Sequence, residues 1–196
     1  MNAVSKERLR VAMRERRLAL SREAQEEAEA AIVRRLEMRP EFPACKSIAL
    51  YWAVRGEVPT QALYRRLRSE GRAVFLSRLR GENLEFAEAA DPSALVPGPM
   101  GLSEPTAEHP AVPLERIDLV LVPGLAFDLR GARLGWGKGY YDRALRGYGG
   151  LRWGLAYDFQ VFEEIPAEAR DESVHWVFTE TRSIDCRRRE DFGREP

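Results

Sequence analysis

Residues 117–143 read "IDLVLVPGLAFDLRGARLGWGKGYYDR", and the order of their parts decides the fold. An apolar run from Ile117 predicts the most buried strand of the chain, and Pro123-Gly124 ends it. Glycines then fall at 135, 137 and 139, with Lys138 between two of them. "YYDRALRGY", residues 140–148, reads as a helix. A buried strand, a glycine-rich connection and a helix in that order belong to an α/β sheet. Glycine costs about 0.5–1 kcal/mol at each regular position. A whole domain is stable by only about 5–15 kcal/mol. Such a cluster therefore asks for a function.

The rest of the chain repeats the alternation. Residues 5–20 predict a helix opened by Ser5, with Leu9, Ala12, Met13 and Leu20 on one face. Ser21 opens a second helix that runs to about Met38 before Pro40. "KSIALYWAV", 46–54, predicts a strand, and "PTQALYRRLRSEG", 59–71, a helix with Pro59 in its first turn. "RAVFLSR" and "LEFAEA" predict two strands joined through Gly81 and Asn83. Residues 91–113 are rich in Pro and Gly and form a long ordered loop or a lid. "RWGLAY" and "HWVFTE" are two further strands, and the charged tail from Arg182 is expected to fray at the periphery. The expectation is a single α/β domain over 1–196, with a mostly parallel central sheet flanked by helices. In such sheets ligands sit beyond the carboxyl ends of the strands. "LYWAVRGE" and "VLVPGLAFDLRG" both run from a strand into a polar loop there.

Composition narrows the class. Thirty-one basic residues balance 31 acidic ones, so no global field selects nucleic acid or an anionic membrane. No apolar run reaches the ~20 residues of a membrane span, and "MNAVSKERLRVAMRERR" has no apolar signal core. The expectation is a cytoplasmic protein, monomer or homodimer, that handles small molecules. Cys45 and Cys186 lack metal-ligand spacing, and His109 and His175 have no partner that would make a triad or a zinc site. The cations are nearly all arginine; lysine stands only at 6, 46 and 138. A lysine kept among arginines suggests a use for its compact charge.

The glycine stretch has neither the spacing of a Walker loop nor, with Tyr140 in the third place, that of the dinucleotide fingerprint. Two readings stay open locally. It is a nest of backbone N–H groups for an anion, with Lys138 and Arg133 adding charge and a helix start near Tyr140 aimed at the same point. Otherwise it is a connection whose Tyr140, Tyr141 and Leu145 pack in the core. Asp142 is placed to hold a magnesium ion that bridges phosphates. By local chemistry alone, Glu57 is a solvated loop residue or a cap for the next helix. Lys6 and Arg10 are likewise a solvated helix face, and Asp171 is a loop residue.

Together these pieces resemble the 5-formyltetrahydrofolate cyclo-ligase family. The central motif is "LVPGLAFDLRGARLGWGKGYYDR", 121–143, supported by "KERLR" at 6–10, "GEVPT" at 56–60, "GLSEP" at 101–105 and "IPAEARDESV" at 165–174. Pro59 departs from the family, which more often has an acidic residue there. The resemblance implies a fold related to sugar-phosphate isomerases and CoA transferases. It implies that ATP and Mg2+ drive conversion of 5-formyltetrahydrofolate to 5,10-methenyltetrahydrofolate through a phosphorylated formyl group, releasing ADP and phosphate. By position it implies ATP contacts at Lys6, Arg10, Arg133, Leu134, Gly135, Trp136, Gly137, Lys138, Gly139, Tyr140 and Tyr141. It implies folate contacts at Trp52, Glu57 and Trp136 to Tyr140, metal ligands at Asp142 and Asp171, and catalytic roles for Lys138, Arg133 and Tyr140. Two other readings compete. One is a nucleotide- or phosphate-binding regulatory module without turnover; the other is an enzyme acting on a sugar phosphate without ATP.

Overall fold

The computed structural model describes residues 5–88, 91–168 and 170–187. Helices α1 (Lys6–Leu18) and α2 (Arg22–Glu37) open on the hydroxyls of Ser5 and Ser21, which accept from the amides of Arg8 and Ala24. Each serine thus satisfies one of the amides that a first turn leaves unpaired. Strand β1 (Ser47–Leu50) follows, then α3 (Gln61–Ser69), β2 (Ala73–Arg80) and β3 (Asn83–Glu88). The strand expected over 46–54 stops at Leu50. Its continuation leaves the sheet because Tyr51 bonds locally: its carbonyl accepts from the Thr60 hydroxyl at 2.5 Å and its own hydroxyl donates to the Val58 carbonyl at 2.8 Å. Arg55 and Gly56 then turn through the left-handed region, at φ 52° and 71°. The first amides of α3 are capped from across the molecule. The Glu29 carboxylate accepts from Ala62 and Leu63 at 3.1 and 3.4 Å, which removes helix capping from the readings open to Glu57.

Within 91–113, β4 (Val96–Pro97) and β5 (Ser103–Glu104) form a small antiparallel ribbon. The buried Glu104 carboxylate ties it to β2 by accepting from the Leu79 amide at 3.0 Å, and Ala111 bridges Ala87 of β3. The chain continues through β6 (Leu119–Pro123), β7 (Ala126–Asp128), β8 (Arg133–Leu134), α4 (Tyr140–Ala144) and β9 (Leu151–Leu155). It ends in β10 (Val161–Phe162), β11 (Trp176–Phe178) and β12 (Ser183–Asp185). Helix α4 is shorter than the expected 140–148. Gly147 turns left-handed at φ 74°, and a helix cannot continue through it. The expected fraying from Arg182 is corrected for its first residues: β12 pairs antiparallel with β11, and Cys186 is buried. Residues 188–196 of that tail lie outside the described residues.

The large sheet has the order β12-β11-β9-β6-β1-β2-β3. β11, β9, β6, β1 and β2 pair in parallel, and the outer β12 and β3 pair antiparallel. The α/β fold with a mostly parallel sheet flanked by helices is as expected. Alternation along β1 and β6 sends Ile48, Leu50, Leu119 and Leu121 to one face and Ala49, Val120 and Val122 to the other. On the first face they meet Ile32 and Leu36 of α2 and Leu63 and Leu67 of α3. On the second they meet Leu145 and Tyr148, which follow α4. Burial on both faces is why these strands read as nearly continuous apolar runs. A third cluster sets Leu9 and Met13 of α1 on Leu125, Ala126, Leu134 and Ile165, fastening α1 to the β7–β8 hairpin. From β1 the chain moves to β2 on one side; from β6 it moves to β9 on the other. The sheet therefore reverses between β1 and β6, and a crevice opens at their carboxyl ends.

Candidate active site

A cavity of about 540 Å3 occupies that crevice. Tyr51 and Trp52, leaving β1, and Pro123 and Gly124, leaving β6, line its base. The loop 135–139 between β8 and α4 forms one wall, α1 with Glu168, Arg170 and Asp171 a second, and Met100, Leu102 and Ser103 a third. All the expected site residues line this one cavity: Lys6, Arg10, Trp52, Glu57, Arg133, the run Leu134 to Tyr141, Asp142 and Asp171.

The hairpin that delivers the loop is built around Asp128. Its buried carboxylate accepts from the amides of Arg130, Ala132 and Ile165. Asp128 escaped the sequence reading; its place before "LRG" is the signal, since Asp habitually closes such turns. Beyond the hairpin, Gly137 and Gly139 adopt φ of 89° and 65°, whereas Gly135 is not left-handed. Arg10 reaches the loop from α1 and donates to the Gly135 carbonyl at 3.0 Å. Helix α4 has only five residues. The expected pull of a long helix dipole is therefore replaced by single N–H groups of the loop and the first turn.

The charges are paired. Arg133, with a buried side chain, donates to Asp142 at 2.7 Å and lies over the Tyr141 ring. Lys6 stands 2.9 Å from Glu168 and 3.5 Å from Asp171. Two of the four cations expected on phosphate, Arg133 and Lys6, thus hold the two carboxylates expected on metal. Lys138 has no ion-pair partner among the described residues, and its side chain is exposed. Among the described residues no group of three or more His, Cys, Asp or Glu side chains converges. Magnesium nonetheless needs only one or two carboxylates when phosphates and water complete its shell. Asp142 and Asp171 share the cavity and are each 20% exposed. These hard donors fit an ion that arrives with phosphate, in place of a preformed cage.

The opposite side centres on Glu57, only 7% exposed. Its carboxylate accepts from the Val54 amide at 3.2 Å, and the Trp136 side chain stands beside it. Burial pushes its pKa up, opposed by Arg17, the Val54 amide, Trp136 and Arg55. Trp136 is ringed by guanidiniums, with Arg55 4.9 Å, Arg17 5.7 Å and Arg14 5.8 Å from its centroid. Trp52 stands edge-on to Tyr64, half-buried. Arg55 also reaches the Met100 carbonyl at 2.5 Å across the mouth. Arg17, Arg55 and Met100 were not anticipated. For Arg17 there was a signal: it follows Leu9 and Met13 by four-residue steps, on the inward face of α1.

An α/β sheet with a crevice at its reversal point, walled by glycines and lined by cations, is the kind of site in which such sheets hold small molecules. Comparison with known proteins narrows the class. A profile of the 5-formyltetrahydrofolate cyclo-ligase family matches residues 2–180, and the chain belongs to that family, a family of ligases. The 5-formyltetrahydrofolate cyclo-ligase of Escherichia coli strain K12 is 32% identical over 177 residues, covering 87% of this chain and 97% of that one. The Haemophilus influenzae cyclo-ligase is 31% identical over 183 residues, 90% and 95% of the two chains. The solved structure of Aquifex aeolicus 5,10-methenyltetrahydrofolate synthetase aligns with a TM-score of 0.83 at 37% identity over 93% of each chain. A Mycoplasma pneumoniae 5,10-methenyltetrahydrofolate synthetase shares the fold at a TM-score of 0.74 and 23% identity, over 90% of this chain and 99% of that one.

Proposed function

We propose that the protein converts 5-formyltetrahydrofolate to 5,10-methenyltetrahydrofolate, consuming ATP with Mg2+ and releasing ADP and phosphate. One observation carries this reading: a single cavity joins a cation-rich glycine wall to a buried carboxylate and a half-buried tryptophan. The γ-phosphoryl group passes to the formyl oxygen, and the ADP oxygen leaves with the electrons of the broken P–O bond. The neighbouring folate nitrogen then attacks the formyl carbon and loses its proton. Phosphate departs with the electrons of the C–O bond, leaving the methenyl bridge.

This chemistry asks a protein for alignment and for stabilisation of charge on phosphate oxygens, with little covalent help. Backbone N–H groups of 135–141, Arg10 and Lys138 supply donors at one wall. Lys6 and Arg133 join them by exchanging their carboxylates for phosphate. Asp142 and Asp171 are the residues that would hold magnesium, which would supply neutralising charge to the phosphates. Tyr140, at the start of α4, lines the cavity, and in this reading it faces both substrates. Trp52 packs against the pterin, and Glu57 accepts its N–H groups.

The direct test incubates the protein with ATP, magnesium and 5-formyltetrahydrofolate and follows the ultraviolet absorbance of the methenyl product. Product formation that requires ATP is the expected result. Tight ATP binding without product would favour a regulatory module. Isomerisation of a sugar phosphate without ATP would favour the remaining alternative.

A further inference from the structure

Arg17 is the charge the reaction above leaves unused. It is the last buried residue of α1 and is 0% exposed. Its guanidinium donates to two carbonyls that border the cavity, Gly124 after β6 at 3.3 Å and Arg55 after β1 at 3.0 Å. It also stands 3.9 Å from Glu57 and 5.7 Å from the Trp136 ring. An arginine buried this completely is costly unless its partners need it. Here the partners are the two strand exits that frame the crevice, the carboxylate on its folate side and the tryptophan of its glycine wall. Arginine suits the task because its planar fork serves several acceptors at once.

We propose that Arg17 is a positioning residue: its guanidinium holds the Glu57 carboxylate, and through it the Trp136 indole, where the folate side of the cavity requires them. This rests on the proposed reaction. Arg17 touches no substrate in this scheme; it acts through Glu57. Its charge also opposes the burial that favours a protonated Glu57. The other groups facing that carboxyl are Arg55 on its own loop, Tyr51 after β1, Tyr141 in α4 and Tyr157 after β9. Arg55 is exposed, which leaves Arg17 as the buried counter-charge.

The test needs no substrate in its first arm. The Trp136 indole N–H signal, assigned by its loss in Trp136→Phe, is followed by proton–nitrogen correlation spectra from pH 5 to 9. It reports the ionisation of the carboxylate it stands beside. In Arg17→Met its midpoint is expected to move up by about one pH unit or more. In the second arm, Arg17→Met raises the KM for 5-formyltetrahydrofolate about tenfold while that for ATP stays within about twofold. Arg17→Lys, which keeps the charge and loses the fork, recovers part of the folate affinity. An indole signal that does not titrate in the native protein overturns the proposal. So does a midpoint unmoved in folded Arg17→Met, or a parallel rise in both KM values. If Arg17→Met fails to fold, Arg17→Lys decides: an unchanged folate KM overturns the proposal, and a selective rise supports it. Absence of ring closure by the native protein sinks the proposed reaction alone, because the indole titration still reads the Arg17–Glu57 coupling.

Discussion

Lys138 differs from its neighbours in being unattached. Arg10 is held by Gly135, Arg133 by Asp142 and Lys6 by Glu168, whereas the Lys138 ammonium has no ion-pair partner among the described residues. An unpaired point charge on a loop wall can follow a phosphoryl group as it moves. Lys138→Ala is therefore expected to lower kcat on the order of a hundredfold, the loss typical of one positioned donor, with little change in the melting temperature. Full activity in that variant would remove Lys138 from the mechanism. The glycine-wall residues were readable because they are contiguous and of unusual composition. Lys6, Glu57 and Asp171 were not readable from local chemistry; each looks like a solvated charge, and only the resemblance to a family placed them. Arg17 was hidden differently. In "RERR" it reads as one more surface cation, yet its spacing from Leu9 and Met13 turns it inward.

At the scale of elements, periodicity found the strands and helices but overran their ends. β1 and α4 both stop early, one because Tyr51 bonds to its own loop, the other because Gly147 is left-handed. Neither cause shows in apolar spacing. Strand β12 was missed for the opposite reason: a charged segment at a sheet edge has only one face to bury, and Ile184 is half-buried there. The glycine wall is the element whose shape matters most. Gly137 and Gly139 are left-handed, a conformation that costs other residues about 1–2 kcal/mol. Each replaced by alanine is expected to lower the free energy of unfolding by about that amount, read from the urea midpoint, and to raise the KM for ATP. A midpoint that does not move would show that the loop relaxes without loss.

At the scale of the whole molecule, His175 ties three strands together. Its amide donates to the Arg152 carbonyl of β9, its carbonyl accepts from the Cys186 amide just past β12, and its Nδ1 accepts from the Arg152 amide. Burial above all, then Arg152 and Arg187, pulls its pKa from the usual 6.5 to about 4, with Asp185 opposing. The unfolded chain therefore takes up this proton before the folded chain does. The contribution is fully present above pH 6.5 and is lost progressively as pH falls from 6.5 toward 4. His175→Gln is expected to flatten the fall of the urea midpoint between pH 7 and 5, and equal slopes in the two proteins would remove His175 as the cause. The arrangement of α1 has a consequence in time. Its buried face waits for residues far down the chain: Arg17 for Gly124, 107 positions later, and Lys6 for Glu168, 162 positions later. At a synthesis rate of about 5–20 residues per second, α1 stays undocked for roughly 5–30 s after it emerges. The amphipathic segment that completes the cavity is thus the one a ribosome-bound chain must keep from finding a wrong partner.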